Sequence, residues 1–359
     1  MRRLALAMLF NIEQDSGDRV VGYCVPDGFE STPSLAVEAD GKTIARFEAG
    51  ELRQSLVDGG RHQTGRCGFT ITEAEVPGLA GIEDLTIIDE ETGILVYRRA
   101  RPGFLQRKVV RLETHLFPLW RLDDAVSPRF QHFLRGAEAH GRETVTQLLL
   151  LNDVGSSYLS GRILYKNYAY FIDNGFDVCM FVQDPHTEFA ERLLILGRVR
   201  KAGLPVLGPR DTMVYEPAID FAESLPFDSD RGLKRALRSM PGEVAQRLAN
   251  PLTRLMTAAT PDEMPAGAAV ASALDAFASF AAIGLRTEPD AALAGFSALT
   301  GVASEALPRL PHAKAAQSFG RMLAETRAID SLIETDCELF HHLNEAARRA
   351  SASVAAGSA

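Results

Sequence analysis

The segment 146–200 constrains the fold more than any other part of the sequence. It alternates short apolar runs with turn residues and with stretches of helical apolar spacing. Its first run, QLLLL, has polar neighbours on both sides, which is typical of a parallel strand buried on both faces. In chain order the pattern predicts a strand, a turn, a helix, a strand and a helix over 147–151, 152–157, 158–174, 176–182 and 187–201.

A strand–helix–strand unit of this length forms a right-handed crossover between parallel strands. We therefore predict an α/β fold with a parallel sheet and a phosphate-loop-like strand–turn–helix. Helical patterns dominate from about residue 230, over 230–258, 268–283, 289–299, 312–333 and 335–350. The predicted α/β domain covers 146–350 and has a helical C-terminal half, and a disordered tail is expected over 351–359.

Residues 1–100 differ from the rest, because short β-prone runs alternate there with turn residues. Asp40-Gly41 separates two such runs, and this pair readily supplies the positive φ angles of a hairpin turn. The predicted strands are one within MRRLALAMLF and then 19–25, 34–39, 42–47, 67–72, 85–89 and 94–98, with a short helix over 51–57. We predict a small antiparallel β-sandwich over 1–100, joined by a connector over 101–145.

Charge and hydropathy exclude several classes of function. The net charge of the 359 residues is −9, which argues against a nucleic-acid partner. No apolar run reaches the roughly 20 residues of a membrane-spanning helix. We therefore expect a cytoplasmic protein with no membrane span, and the sequence leaves oligomerisation open. The four cysteines are scattered, and the adjacent His341 and His342 point apart on a helix, so no metal site is predicted.

The turn over 152–157 (NDVGSS) suits an anion. Unpaired N–H groups at Gly155 and at the start of a following helix, together with the helix dipole, attract phosphate or sulfate. The hydroxyls of Ser156 and Ser157 add two donors. A purely structural reading also fits, in which Gly155 permits the turn and a serine caps the helix.

Four stretches in order resemble the P-loop sulfotransferases, especially the carbohydrate type. In that family a P-[KR]-[ST]-G-[ST]-[ST] loop holds the 5′-phosphosulfate. A later strand ends in R-D-P, before a helix that holds the 3′-phosphate. The matching stretches are 152–159, Gln183-Asp184-Pro185 with the helix 189–196, 273–285 with Glu288, and 336–340. The resemblance covers roughly residues 145–350.

This resemblance implies sulfuryl transfer to a hydroxyl from 3′-phosphoadenosine 5′-phosphosulfate, without a metal. The cofactor-binding residues would be Gly155, Ser156, Ser157, Tyr158, Arg162 and Asp184. Arg162 is included because a cation near the first turn could contact the anion, although such arginines are more often solvated surface charges. His186 would be the catalytic base, since it follows the end of a predicted strand, where open α/β sheets place their ligands.

Other residues could serve as the base, and His186 could instead be a turn histidine bonded to local backbone. The alternative bases are His115, Glu113 and Glu188. They remain candidates because a base needs only to reach the acceptor hydroxyl.

Four positions depart from the family pattern. Asp153 replaces the loop cation, and Gln183 replaces the arginine of R-D-P. Glu188 and Glu191 stand where the later helix should carry an arginine and a serine. A carboxylate near a phosphate costs on the order of 1 kcal/mol even at an effective dielectric constant of 20. The resemblance therefore supports the fold more than the cofactor.

The N-terminal segment has a resemblance of its own. The motifs GYCVPDG at 22–28, Asp40-Gly41 and GRCGF at 65–69 are similar to small β modules attached to bacterial proteins that build or modify surface polysaccharides. The implied partner is a glycan or a lipid-linked sugar acceptor.

Three functions follow from these observations. The first is a sulfotransferase-like enzyme that modifies a glycan or surface polysaccharide. The second is a catalytically degenerate protein of the same fold that binds a glycan or a protein partner, as the four acidic or neutral replacements suggest. The third is a glycosyltransferase, against which stands the absence of a D-x-D motif, since Asp123-Asp124 lies in the predicted connector.

Overall fold

The structure is a computed structural model that describes residues 8–26, 30–151, 153–204 and 206–357. The chain divides into two compact units, each built from separate stretches. Unit 1 comprises Met1–Val109 and Val126–Leu159, and unit 2 comprises Val110–Ala125 and Ser160–Ala359.

Unit 1 contains two four-stranded antiparallel sheets, as the strand signals predicted. The first has the strand order β1-β2-β6-β5 and the second β4-β3-β7-β8. Phe47 of the second sheet packs against Phe69 of the first, with ring centroids 5.8 Å apart. The strands are β1 (Leu9–Asp15), β2 (Arg19–Val25), β3 (Ser34–Ala39), β4 (Lys42–Glu48), β5 (Glu51–Leu52), β6 (Arg66–Thr72), β7 (Leu85–Asp89) and β8 (Leu95–Arg98), with helix α1 (Gln54–Asp58) between β5 and β6.

The hairpin between β3 and β4 confirms the prediction made from Asp40-Gly41. Both residues have positive φ angles, 50° and 73° respectively, which a two-residue turn of the primed type requires. Ala39 pairs with Lys42 directly beside the turn. The predicted first strand begins at Leu9, and residues 1–7 of its sequence lie outside the described residues.

A five-stranded parallel sheet confirms the predicted α/β class. Its strand order is β10-β11-β9-β12-β13. Cys179 of β12 pairs with Ala282 of β13, and His132 of β10 pairs with Ser157 of β11, both in parallel register. The strands are β9 (Lys108–Leu112), β10 (His132–Leu134), β11 (Ser157–Gly161), β12 (Asp177–Val182) and β13 (Ala282–Leu285).

The predicted strand–turn–helix at 146–174 is wrong. The run QLLLL (147–151) begins in the last turn of helix α3 (Arg142–Leu149), and the turn after it leads into strand β11 instead of a helix. Val145, Leu148 and Leu149 are buried at helical spacing, so the apolar run is one face of a helix. All five residues of β11 are buried, its two serines included, and this burial favours a central strand over a helix.

Helices make up most of the C-terminal half, as predicted. The segment 230–258 is three helices, because Pro241 and Pro251 interrupt it, and the end of the predicted helix over 268–283 is strand β13. The helices after α3 are α4 (Ala169–Asp173), α5 (Pro185–Leu196), α6 (Val199–Ala202), α7 (Pro209–Ser224), α8 (Asp230–Arg238), α9 (Gly242–Leu248), α10 (Pro251–Thr257), α11 (Ala269–Phe277), α12 (Pro289–Thr300), α13 (Lys314–Thr326) and α14 (Glu334–Gly357); α2 (Trp120–Val126) lies between β9 and β10.

Elements of the α/β structure extend beyond both predicted ends of the domain, residues 146 and 350. The segment 101–145 contains β9 and β10 of the parallel sheet as well as α2 and the start of α3. Helix α14 extends over 351–357, where a tail was expected, and residues 358–359 lie outside the described residues. Within the described ranges, no helix combines the length and the apolar character needed to cross a membrane.

Candidate functional site

The loop that joins β9 to α2 is the strand–loop–helix connection at the centre of the parallel sheet. Residues 113–119 form this loop, and all of them are buried except Phe117. Such a connection in an α/β sheet is where backbone N–H groups can hold an anion. The loop contains no glycine, lysine or arginine (ETHLFPL).

A carboxylate of the protein itself already occupies this loop. Glu113 Oε1 accepts a hydrogen bond from the N–H of Leu119 at 2.9 Å. Glu113 Oε2 accepts one from Arg111 at 2.9 Å, and Arg111 also donates two hydrogen bonds to Asp123, each of 2.9 Å. Because the side chains of Arg111 and Asp123 are fully buried, the pair is shielded from water.

A second group of charges lies just after the carboxyl ends of four parallel strands, where open α/β sheets place their ligands. The exposed fraction of every side chain in the group is 8% or less. A substrate hydroxyl therefore could not reach them without displacing them. We call these residues the edge cluster: His115 after β9, Arg162 after β11, Glu188, Glu191 and Arg192 on α5 after β12, and Arg286 after β13.

Glu188 is the centre of the edge cluster. Its Oε2 lies 3.4 Å from His115 Nδ1, and its Oε1 accepts a hydrogen bond of 3.1 Å from Arg192 Nε, one helical turn along α5. Arg192 also donates to the carbonyl oxygen of Thr114 and to the hydroxyl of Tyr215. The first turns of α5 are thereby tied to the loop after β9.

The remaining charges of the edge cluster are paired as well. Arg286 lies 3.3 Å from Glu191, 95 residues away in the chain. Arg162 donates to the carbonyl oxygen of His115 at 3.3 Å and to Asp211 at 2.5 Å. The cluster is therefore a network of matched charges, which offsets the large desolvation cost of burying them.

The two glutamates of α5 differ in their affinity for protons. Burial by itself raises the pKa of Glu188, but the hydrogen bond with His115 and the charge of Arg192 outweigh it and lower the pKa to about 2. Burial raises the pKa of Glu191 more than Arg286 lowers it, and the negative charge of Glu188 adds to the rise. Glu188 therefore binds a proton less readily than Glu191 does.

The predicted cofactor-binding residues and the predicted base are divided between the two units of the chain. Gly155, Ser156, Ser157 and Tyr158 belong to unit 1, whereas Arg162, Asp184 and His186 belong to unit 2. The hydroxyl of Ser156 accepts a hydrogen bond of 3.1 Å from the backbone N–H of Gln131, and Ser156 is fully buried. Tyr158 is a core residue that stacks on Phe133, with centroids 5.6 Å apart.

The predicted residues of unit 2 also have structural partners. Asp184 caps α5, since its Oδ1 accepts hydrogen bonds of 2.9 Å from the N–H and the hydroxyl of Thr187. His186 Nε2 lies 3.6 Å from Asp330 and its side chain is 19% exposed. Of the predicted cofactor-binding residues, Arg162 alone lies in the edge cluster, which also contains the alternative bases His115 and Glu188.

Helix α13 packs against the N-terminus of α5, where the resemblance to sulfotransferases would place the 3′-phosphate. A Cβ atom added at Gly320 of α13 would lie 2.8 Å from the Cα atom and 2.9 Å from the nitrogen of Thr187. Such a distance is closer than packed atoms tolerate, so the two helices touch through their backbones at this point. A phosphate would have to separate them.

We expect Gly320→Ala to lower the free energy of unfolding by about 1–3 kcal/mol, because the new methyl group overpacks the contact with Thr187. Gly295→Ala is the matched control, since it also changes a glycine in the middle of a helix, but its nearest neighbour would be 3.8 Å away. The control should be neutral or up to about 1 kcal/mol more stable. Urea unfolding of both variants measures the difference, and equal effects would contradict the close helix contact.

Unit 1 contains a groove of about 320 Å³ that the predicted turn helps to line. The amide nitrogens of Gln131 and Gln147 donate to backbone carbonyl oxygens, each at 2.9 Å. Arg98 makes a two-pronged ion pair with Asp84, at 2.7 and 2.8 Å. Among the described residues, the polar side chains of the groove are Asn11, Tyr97, Arg98, Gln131, His132, Gln147 and Asp153.

The chemistry of this groove suits hydroxyl groups better than phosphate. Arg98, the one arginine among its described lining residues, is paired with Asp84, and Asp153 adds a negative charge that interacts with Lys108. Amide and carboxylate oxygens accept hydrogen bonds from sugar hydroxyls, and the apolar lining residues, such as Ile12 and Leu150, can cover the sugar ring. The groove is therefore a candidate site for a neutral, hydroxyl-rich ligand.

Within the described residues, no three His, Cys, Asp or Glu side chains are grouped so that they could hold a metal ion. Sequence reasoning named His115, Glu113 and Glu188 as candidate bases but missed Arg286 and Asp211, which no local motif marks. Comparison with protein-family models, with curated proteins and with solved structures gave no significant match.

Proposed function

We propose that this protein binds a glycan without transferring a sulfuryl group, as a catalytically degenerate relative of the sulfotransferase fold. The observation that carries the proposal is the position of Glu113, whose carboxylate accepts a hydrogen bond from the N–H of Leu119 in the loop between β9 and α2. A phosphosulfate in that loop would replace a buried ion pair and meet a like charge.

The residues present do not fit 3′-phosphoadenosine 5′-phosphosulfate. The loop over 113–119 contains no lysine, arginine or glycine. The turn at Gly155 precedes a strand, so it has no helix dipole behind it. The cations near the carboxyl ends of the strands, Arg162, Arg192 and Arg286, are already paired with carboxylates.

Calorimetry with 3′-phosphoadenosine 5′-phosphate tests whether the protein binds the donor nucleotide. We expect no binding at millimolar nucleotide, for the wild type and for Arg162→Ala alike. Micromolar binding that is lost in Arg162→Ala or in Ser156→Ala would overturn the proposal and favour sulfuryl transfer from the phosphosulfate donor.

The glycan part of the proposal is supported by the groove in unit 1. We expect neutral polysaccharides to bind there, and Asp153→Ala to weaken the binding about tenfold to a hundredfold. This range corresponds to the loss of one charged hydrogen bond of about 1.5–3 kcal/mol. Glu143→Ala is the control, because Glu143 is also an exposed acidic residue but does not line the groove. Affinity electrophoresis in neutral polysaccharides measures both variants, and equal binding by both would contradict the groove as the site.

A further inference from the structure

Helix α8 has a face that consists entirely of basic residues. They follow the spacing i, i+3, i+4 and i+7, so their side chains emerge on one side of the helix. Leu233 and Leu237, on the other side, are buried in the core of unit 2. The four residues, which we call the basic face, are Arg231, Lys234, Arg235 and Arg238.

Among the described residues, no carboxylate lies within 4.0 Å of any of the four cations of the basic face. By contrast, Arg200 on α6 lies 3.9, 2.5 and 3.4 Å from Glu216, Asp220 and Glu223. The basic face is therefore a local group of four positive charges on a chain whose net charge is −9.

The surroundings of the basic face indicate what kind of partner it fits. A shallow cavity of about 650 Å³ lies against it, lined by the four cations with Asp230 and Ser239. In the part of the chain that the structure describes, no apolar or aromatic side chain lines this cavity. Protein interfaces usually depend on buried aromatic or aliphatic anchors, and membrane-binding helices on an apolar face that enters the lipid, and neither feature is available here.

We propose that the basic face of α8 binds an anionic polysaccharide. The binding would be electrostatic, with guanidinium and ammonium groups contacting carboxylate or sulfate groups along the polymer. From Arg231 to Arg238 the face extends about 10 Å, at 1.5 Å per residue, so charges on successive sugars can be contacted together. The proposal goes beyond the groove in unit 1, because it concerns a different unit and a charged ligand.

The test compares two charge-neutralised variants of the full chain. In one, the four residues of the basic face are changed to Gln. In the other, which removes the same number of charges from exposed positions elsewhere, the changes are Lys42→Gln, Arg61→Gln, Lys314→Gln and Arg321→Gln. Binding to dextran sulfate and to polygalacturonate is measured by calorimetry at several NaCl concentrations, and circular dichroism confirms that both variants are folded.

We expect the wild type and the second variant to bind both anionic polymers, and the basic-face variant to bind them at least tenfold more weakly. Binding should weaken as the NaCl concentration rises, because association releases counterions. Equal losses in both variants would attribute binding to net charge and overturn the proposal, as would no binding by the wild type. Tighter binding of the wild type to vesicles with anionic lipid or to duplex DNA would overturn the choice of partner. The groove in unit 1 is tested separately by Asp153→Ala, so either proposal can be contradicted without the other.

Discussion

Replacing Arg111 by Met is expected to lower the free energy of unfolding by about 3–5 kcal/mol, the usual cost of removing one partner from a buried ion pair. The guanidinium of Arg111 is completely buried and bonds both Glu113 and Asp123. Without it two carboxylates remain close together in a medium of low dielectric constant. Urea or thermal unfolding measures the loss.

Two further variants identify the cause of this loss. Arg46→Met removes an arginine that is 65% exposed and paired with Glu90, so it should cost no more than about 1 kcal/mol. Combining Arg111→Met with Glu113→Gln and Asp123→Asn removes the buried charges altogether and should recover much of the stability. A loss in Arg111→Met as small as that in Arg46→Met would show that the group is not a buried ion pair.

The same ion pairs support the proposal that no donor nucleotide binds at the carboxyl edge of the sheet. Glu113 bonds the N–H of Leu119, and the cations of the edge cluster are paired with carboxylates of the chain. An anionic ligand at this edge would have to replace these pairs.

Local patterns predicted those parts of the fold that local chemistry decides. Strands β2, β3 and β7 begin and end where their apolar alternation does, and the turn between β3 and β4 follows from the backbone preference of Asp40-Gly41. The helical C-terminal half was predictable for the same reason, since its helical spacing repeats over many turns.

The central region was mispredicted because short apolar runs fit a buried strand and a helix face equally well. In α3 the apolar residues contact the core from one side, while β11 is buried on both sides despite its serines. Whether a short apolar run forms a helix or a strand therefore depends on its neighbours in the folded chain. Because helix and strand were interchanged in the prediction, the strand–loop–helix connection at the sheet centre was expected around Gly155, whereas it lies around Glu113.

The site could be predicted only as separate residues. His115 and Glu188 were both candidate bases, but 73 residues separate them and no motif indicates that they meet. Arg286 follows a strand that the sequence pattern assigned to a helix, so its pairing with Glu191 could not be anticipated. Long-range charge pairing leaves no periodic signal in a single sequence.

The stability of unit 1 should fall as the pH decreases from 7.5 to 5.0, because of His132. Complete burial lowers the pKa of this histidine to about 4, and the hydrogen bond between its Nε2 and the carbonyl oxygen of Leu95, at 2.8 Å, opposes the shift only in part. In the unfolded chain the pKa is about 6.5. Below that pH the unfolded chain binds a proton that the folded chain does not, so stability is lost progressively until the folded-state pKa is passed.

The expected contribution of His132 between pH 7.5 and pH 5.0 is a loss of about 2 kcal/mol. The measurement is the difference in unfolding free energy between these two pH values, by urea titration, for the wild type and for His132→Gln. The variant keeps an amide N–H that can donate to Leu95 but cannot titrate, so its difference should be smaller by about that amount. His341→Gln is the control, because His341 is exposed and its removal should leave the difference unchanged. A histidine lowers the stability at acidic pH only if its pKa in the folded chain is below its pKa in the unfolded chain. If His132→Gln and His341→Gln both retain the pH dependence of the wild type, His132 is therefore not a buried neutral histidine.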